Sequence, residues 1–319
     1  MNAVVTRDWA AFSRQTIISD LGAHAARVRV TSIATSDLVE FIGGTVLNFV
    51  TDRTLVDGAL FASRLWQVDL RTTAAMLDAL FALSETPLSA PRRPDERIVG
   101  NCRDTALLCA SVLRAHEIPA RVRYGFAHRL YRPHEPMHEH AITEYFDGQR
   151  WRTIDCRMHR EIIALHDIDL VPGQLLPDGL FVPALTLWRQ CRAGERDFAA
   201  FGGPHGERGR GMSAVAKYAY QDIASLNGFE PLMWDVWGPA LFRHPEAVID
   251  DDDELDALDR CARLNPDAPD EWARLCALYE ASDLLRVPDV VTSFSPHAGL
   301  RRWPLPARIV NPLFQASQI

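Results

Sequence analysis

No stretch of this sequence approaches the roughly 18 uncharged apolar residues that a membrane-spanning helix needs. There is no long basic run either, and the formal net charge is −8. Phosphate-rich partners call for a face of lysine and arginine, so neither nucleic acid nor a membrane is expected as a partner. The first residues mix Arg7, Asp8, Arg14 and Asp20 into their apolar positions and show no small-residue cleavage site, so no signal peptide is expected. The six cysteines (Cys102, Cys109, Cys156, Cys191, Cys261, Cys276) form no Cys-x-x-Cys pair. A chain of 319 residues, 47% of them hydrophobic, can build its core without disulfides or metal. The expectation is a soluble, cytoplasmic protein with reduced thiols, no cofactor and no metal.

Three motif-like runs lack what their chemistry requires. Gly202-Gly203 through Gly209 and Gly211 has no strand before it and no Gly-Lys-Ser/Thr after it, so it reads as a loop rather than a phosphate cradle. The acidic run 250–254 lacks the glycine and spacing of an EF-hand and reads as the first turn of a helix, favoured by the helix dipole. His134, His138 and His140 are spaced like zinc ligands, but the first two fall in a proline-bearing loop and no fourth ligand is evident.

Residues 1–30 read as a short helix and the start of a strand, with Val28, Val30 and Ile33 as apolar positions. From Ser36 to about Glu85 the periodicity is helical, with Ser36 and Asp37 as caps of a helix through Leu38, Val39, Phe41 and Ile42. Residues 87–97 form a proline-rich, charged loop. Residues 101–116 are apolar on most sides, which predicts a buried helix, and Ile118-Pro119 stops it. Three strand-like runs follow, 120–126, 140–146 and 150–156, so the class is α+β. Further helices are expected at 184–191, 212–226, 254–264 and 269–281.

The chemistry centres on Gly100-Asn101-Cys102-Arg103-Asp104. Asn101 is a good helix cap and Asp104 sits where a capping-box acid belongs, which puts Cys102 in the first helical turn. Unpaired N–H groups and the positive end of the dipole favour a thiolate there, lowering such thiols to roughly 3.5–7.5. The alternative is a cysteine packed as a small apolar residue. Cys109, seven residues on, and Cys156 read as packing, as do Trp234 and Trp237.

A nucleophilic cysteine needs a base, and the base needs a group to orient it. Of His128, His134, His138 and His140, only His140 lies in a clean strand pattern, His140-Ala141-Ile142-Thr143-Glu144-Tyr145-Phe146. Asp147-Gly148 then suggests a two-residue turn. With that turn Phe146 faces Gln149, Glu144 faces Trp151, and His140 lies directly across from Asp155.

Together Cys102 opening an apolar helix, Arg114 through Ile118-Pro119-Ala120-Arg121, His140-Ala141, and Trp151 before Ile154-Asp155 resemble the core of the transglutaminase-like superfamily. The resemblance covers about residues 98–158. It implies a papain-like core, with the Cys102 helix packed on an antiparallel sheet, and a triad of Cys102 as nucleophile, His140 as base then acid, and Asp155 as orienting carboxylate. A later segment around Trp188, Cys191-Arg192-Ala193-Gly194, Asn227 and Trp234 to Gly238 resembles the tail of a bacterial group within it. Two positions depart from the family pattern: Ala141 replaces an aromatic after the histidine, and Glu117 replaces the glycine before Ile-Pro-Ala. The implied organisation is a mostly helical part over 1–97, the catalytic core over 98–165, and a mostly helical part over 166–319 packed on it. The implied activity is acyl transfer on a peptide, amide or thioester, by hydrolysis or transamidation. Two alternatives stay open: an amide synthase that uses a thioester on a carrier protein, and a non-catalytic binding module that keeps the fold.

Overall fold

Asn101 opens the central helix through its side chain, as expected of a cap. Its Oδ1 accepts the N–H of Arg103 at 2.8 Å, and Asp104 Oδ2 accepts the N–H of Asn101 at 2.9 Å. This reciprocal cap satisfies donors that a helix start leaves without partners. The computed structural model describes residues 9–133, 135–202, 210–241 and 248–305. The chain divides into two units: residues 1–122, 142–176 and 294–300, and residues 123–141, 177–293 and 301–319.

In the first unit the helices are α1 (Ala25–Arg29), α2 (Thr35–Gly43), α3 (Gly58–Arg64), α4 (Thr73–Leu83), α5 (Cys102–Ala115) and α6 (Arg160–His166). Strands β1 (Val46–Asn48) and β2 (Ile98–Gly100) pair in parallel, with Asn48 beside Gly100. Every residue of α5 from Cys102 to Arg114 is buried, so its polar side chains need internal partners. Arg103 donates to the Arg71 carbonyl at 2.7 Å and to Asp104 at 3.1 Å; Arg114 donates to the Ala120 carbonyl and to Ser19. The helix ends in a Schellman turn: Ile118 N–H reaches the Leu113 carbonyl and Glu117 N–H that of Arg114, each at 3.0 Å. Glu117 takes the left-handed conformation, φ 60°, that glycine usually fills there.

A four-stranded sheet runs in the order β5-β4-β3-β6, with β3 (Ala120–His128), β4 (Met137–Phe146), β5 (Trp151–Ile154) and β6 (Phe181–Pro183). The hydroxyl of Thr143 on β4 donates to the Ala106 carbonyl at 2.8 Å, tying that strand to α5. Arg121 pairs with Glu144 and lies 3.8 Å from the Trp151 ring centroid. Trp9, Phe12 and Phe146 pack their rings about the same indole. The buried ion pair is thereby fixed by geometry as well as charge.

The second unit holds α7 (Ala184–Arg192), α8 (Met212–Leu226), α9 (Asp252–Ala262), α10 (Pro269–Ala281) and β7 (Asp235–Val236). Strands β8 (Val290–Ser295) and β9 (Gly299–Pro304) complete a small sheet ordered β7-β8-β9. Arg123 makes a two-pronged pair with Asp222, at 2.8 and 2.9 Å. The acidic run is a helix start: Asp251 caps α9 by accepting the Glu254 N–H. Glu254 itself turns inward and accepts the Tyr220 hydroxyl, so that residue is not part of a solvated face. Trp234 and Trp237 are core residues.

The α+β class, the buried helix opened by Cys102 and the antiparallel sheet agree with expectation. The hairpin register does not. Phe146 faces Trp151, Glu144 faces Thr153 and Thr143 faces Ile154, the last residue of β5. The central residues of the turn are Gly148 and Gln149, one step later than Asp147-Gly148. Asp147 is held at the flank because its Oδ1 accepts the N–H groups of Gln149 and Arg150, both at 2.9 Å, and its own N–H donates to the Arg150 carbonyl. Gly148, at φ 97°, supplies the positive φ of a first central position. A turn displaced by one residue shifts the register by two, so side chains keep their faces, but Asp155 lies past the paired strand rather than opposite His140.

Other local expectations also change. No strand starts at Val28: α1 covers it, and Val30 and Ile33 are exposed. Ala34, not Ser36 or Asp37, is the N-cap of α2. His134 and residues 203–209 lie outside the described residues. Among the described residues, no helix is long and apolar enough to cross a membrane.

Candidate active site

Cys102 is the first residue of α5, a buried helix, and is itself 9% exposed. The two residues before it continue from β2, whose Gly100 lies beside Asn48 and accepts the Phe49 N–H at 2.9 Å. Sequence, cap and strand pairing thus fix the start of α5 from both sides.

Asp155 belongs to the same unit, one residue past β5. Its Oδ1 accepts the Arg157 N–H at 2.9 Å and its carbonyl accepts that of Met158 at 3.1 Å, so the chain turns sharply after it. Arg157 then reaches into the loop after β1. It donates to Thr51 Oγ1 at 2.9 Å and pairs with Asp52 at 3.4 Å. Asp52 also accepts the Asn48 N–H at 2.8 Å and the Thr51 hydroxyl at 2.7 Å. Burial pulls the Asp52 carboxyl upward, but Arg157 and these hydrogen bonds outweigh it and leave it below the usual carboxylate range. Burial disfavours the Arg157 charge, yet Asp52, Asp155 and the Cys102 sulfur together hold it more firmly than usual. Cys102 and Asp155 are therefore brought into one electrostatic cluster around Arg157.

Sequence reasoning missed both Arg157 and His159. His159 is buried, and burial, followed by Arg97 and Arg157, lowers its imidazole to about 4 despite Asp52 and Asp155. It is neutral near pH 7 and a feeble base, poorly matched to proton transfer there. Gly43 leaves room for it: a β-carbon at that position would stand 2.7 Å from the ring and 2.1 Å from the Cys156 carbonyl.

His140 stands in the second unit's stretch of β4. The rings of Tyr131 and Phe181 meet its imidazole edge-on, with centroids 5.9 and 6.4 Å away. Leu130 and Tyr131 are both left-handed, φ 51° and 56°, an arrangement that costs roughly 1–2 kcal/mol per residue. Such strain gathers where a loop must present a side chain. His128 helps close this loop through the Glu135 carbonyl at 2.6 Å. His138 instead bonds the Gly202 carbonyl, and burial lowers its imidazole. Among the described residues no group of three or more His, Cys, Asp or Glu is placed to hold a metal.

The remaining thiols differ from Cys102 in their surroundings. Burial pushes Cys191 up to about 11 and Cys261 up to about 12, and raises Cys276 further. Cys109 and Cys156 are both buried, and Cys156 is raised by burial and then by its hydrogen bond with Cys109.

Residues 85–156 match the family model of the transglutaminase-like superfamily. The matched segment includes β2, α5 and β3 to β5, with Cys102, His140 and Asp155, and it is similar to the core of that superfamily, which suggests a cysteine-dependent enzyme in general terms. No curated protein matches the chain. A solved structure described as a "putative cysteine protease" from Cytophaga hutchinsonii is similar at 16% identity and a TM-score of 0.32. That similarity covers 57% of this chain and 46% of the other, so the chain spans under half of the protein it matches.

Proposed function

We propose that the protein catalyses acyl transfer through a covalent Cys102 acyl-enzyme. The observation that carries this reading is the position of Cys102: first residue of a helix buried from Cys102 to Arg114, behind a reciprocal Asn101–Asp104 cap, inside a segment that matches the transglutaminase-like family model. His140 takes the thiol proton as sulfur attacks the carbonyl carbon of an amide or thioester, and Asp155 orients the imidazole. The tetrahedral adduct collapses, the amine or thiol leaves with the proton from His140, and the acyl group remains on sulfur. Water or an amine then attacks the thioester and returns the enzyme, giving hydrolysis or transamidation according to how well the site excludes water. The backbone N–H of Cys102, at the start of α5, is one donor for the developing oxyanion.

The supporting chemistry is selective. His159 shares the Asp155 neighbourhood but is too weak a base, whereas the half-buried His140 is framed edge-on by the rings of Tyr131 and Phe181. The test is intact-mass analysis after incubation with a panel of aryl esters, acyl thioesters and glutamine peptides. An adduct of the acyl mass, mapped to the Cys102 peptide and absent in Cys102→Ala and His140→Ala, supports the reading. Hydrolysis that persists in Cys102→Ala contradicts it.

A further inference from the structure

The triad leaves one buried, charged side chain of the first unit's cluster without a role. Arg157 is buried, and its guanidinium is engaged by Thr51 and Asp52 from the loop after β1. Its backbone N–H is simultaneously engaged by the Asp155 carboxylate. The loop it grips is not free to drift. Asn48 accepts the N–H groups of Val50 and Thr51 through Oδ1, Asp52 N–H bonds the Asn48 carbonyl, and Asn48 lies beside Gly100 in the parallel pair. Gly100 is two residues from Cys102. One side chain therefore connects the turn that carries the orienting carboxylate to the strand pair that leads into the nucleophile.

We propose that Arg157 is a positioning residue of this site: it locks the Asp155 turn to the Thr51–Asp52 loop and keeps a permanent positive charge where that turn meets the loop anchored to the strand pair leading into Cys102. This rests on the acyl-transfer reading above. A guanidinium suits the role because its planar fork engages two partners at once and stays charged when buried, which a lysine does less well. The groups around it are Asp52 and Thr51 from the loop, Asp155 from its own turn, Cys102 from α5 and His159 from the start of α6. Asp52 is matched by the guanidinium and His159 is neutral near pH 7, so Asp155 and Cys102 are the site groups that face the charge. Arg157 touches neither substrate nor leaving group in this scheme. It acts through the geometry of Asp155 and through the field at sulfur.

The test uses the full chain and follows Cys102 alkylation by iodoacetamide as a function of pH, with peptide mapping, in the parent, Arg157→Gln and Arg157→Lys. In Arg157→Gln the half-maximal pH of Cys102 alkylation moves alkaline by about one unit, a roughly tenfold slower reaction near pH 7. Arg157→Lys moves it in the same direction by less, because charge is kept while the fork is lost. A purely structural role changes melting but leaves the pH profile in place. An unmoved profile in folded Arg157→Gln overturns the proposal. Should that variant fail to show a cooperative melt, Arg157→Lys decides: a displaced profile supports the role and an unmoved one overturns it. Failure of the parent to label Cys102 ahead of its other thiols overturns the acyl-transfer reading and this inference together. Preferential labelling in the parent with no response to Arg157 removes only the inference.

Discussion

His159 gives the first unit a built-in acid sensitivity whose size follows from its surroundings. An ordinary histidine titrates near 6.5, whereas burial and the flanking Arg97 and Arg157 bring this one to about 4. The folded chain therefore resists a proton that the unfolded chain accepts. For a depressed histidine the stabilisation is complete above the unfolded value and is lost as pH falls toward the folded one, here from near 6.5 down to about 4. At pH 5 the unfolded side chain is almost fully protonated and the folded one is not, which amounts to about 2 kcal/mol lost relative to neutral pH. Urea unfolding of the parent and His159→Gln at neutral pH and at pH 5 isolates this contribution, because the other titrating groups are common to both chains. The variant should lose about 2 kcal/mol less than the parent over that interval. Equal losses in the two chains would refute the assignment of the acid sensitivity to His159 and, with it, the claim that this imidazole is neutral beside Arg157.

Three further outcomes follow from local geometry. Glu117→Gly, at the left-handed end of α5, should raise stability by about 0.5–1 kcal/mol, read as a higher urea midpoint, because the strain relieved exceeds the extra freedom of the unfolded glycine. Gly43→Ala should cost about 1–3 kcal/mol by overpacking, since its β-carbon would collide with the Cys156 carbonyl and the His159 ring; a melt unchanged from the parent counts against that packing. Asp155→Asn should keep a cooperative melt yet slow acyl-enzyme formation on the order of 10³–10⁴-fold, the scale seen when a triad loses its orienting carboxylate; a rate within a factor of a few of the parent removes Asp155 from the mechanism.

The parts of the fold that were legible in the sequence are those with local causes. Asn101 and Asp104 announce the start of α5, and the apolar residues between them and Ile118-Pro119 announce its burial. Helices α8 and α10 begin and end where periodicity placed them. The short strands were not legible, because Val46-Leu47-Asn48 and Phe181-Val182-Pro183 are too brief to show a period of two and owe their form to partners distant in sequence. The hairpin failed by one residue for a different reason. Asp147-Gly148 is a favoured turn pair, but the Asp147 side chain caps the following N–H groups instead, and Arg152 pairs with the same carboxylate. Burial tends to raise that carboxyl, and the hydrogen bonds from Arg150, Arg152 and Gln149 bring it down to about 2, so it remains a strong acceptor. The candidate site rests on residue types and spacing. Arg157 was not legible, since nothing in Asp-Cys-Arg-Met-His distinguishes a residue that reaches back to Asp52, more than a hundred positions earlier.

The central claim is that Cys102 is a nucleophile activated by His140, and time-resolved alkylation of the six thiols in the native chain tests it most directly. The other thiols have reason to lag, since burial raises Cys156, Cys191, Cys261 and Cys276. Iodoacetamide labelling near neutral pH, quenched over time and mapped by peptide, should modify Cys102 first, and His140→Ala should slow that modification at least about tenfold while leaving the slower sites unchanged. A chain in which another cysteine labels first, or in which Cys102 reacts at the same rate without His140, contradicts the account.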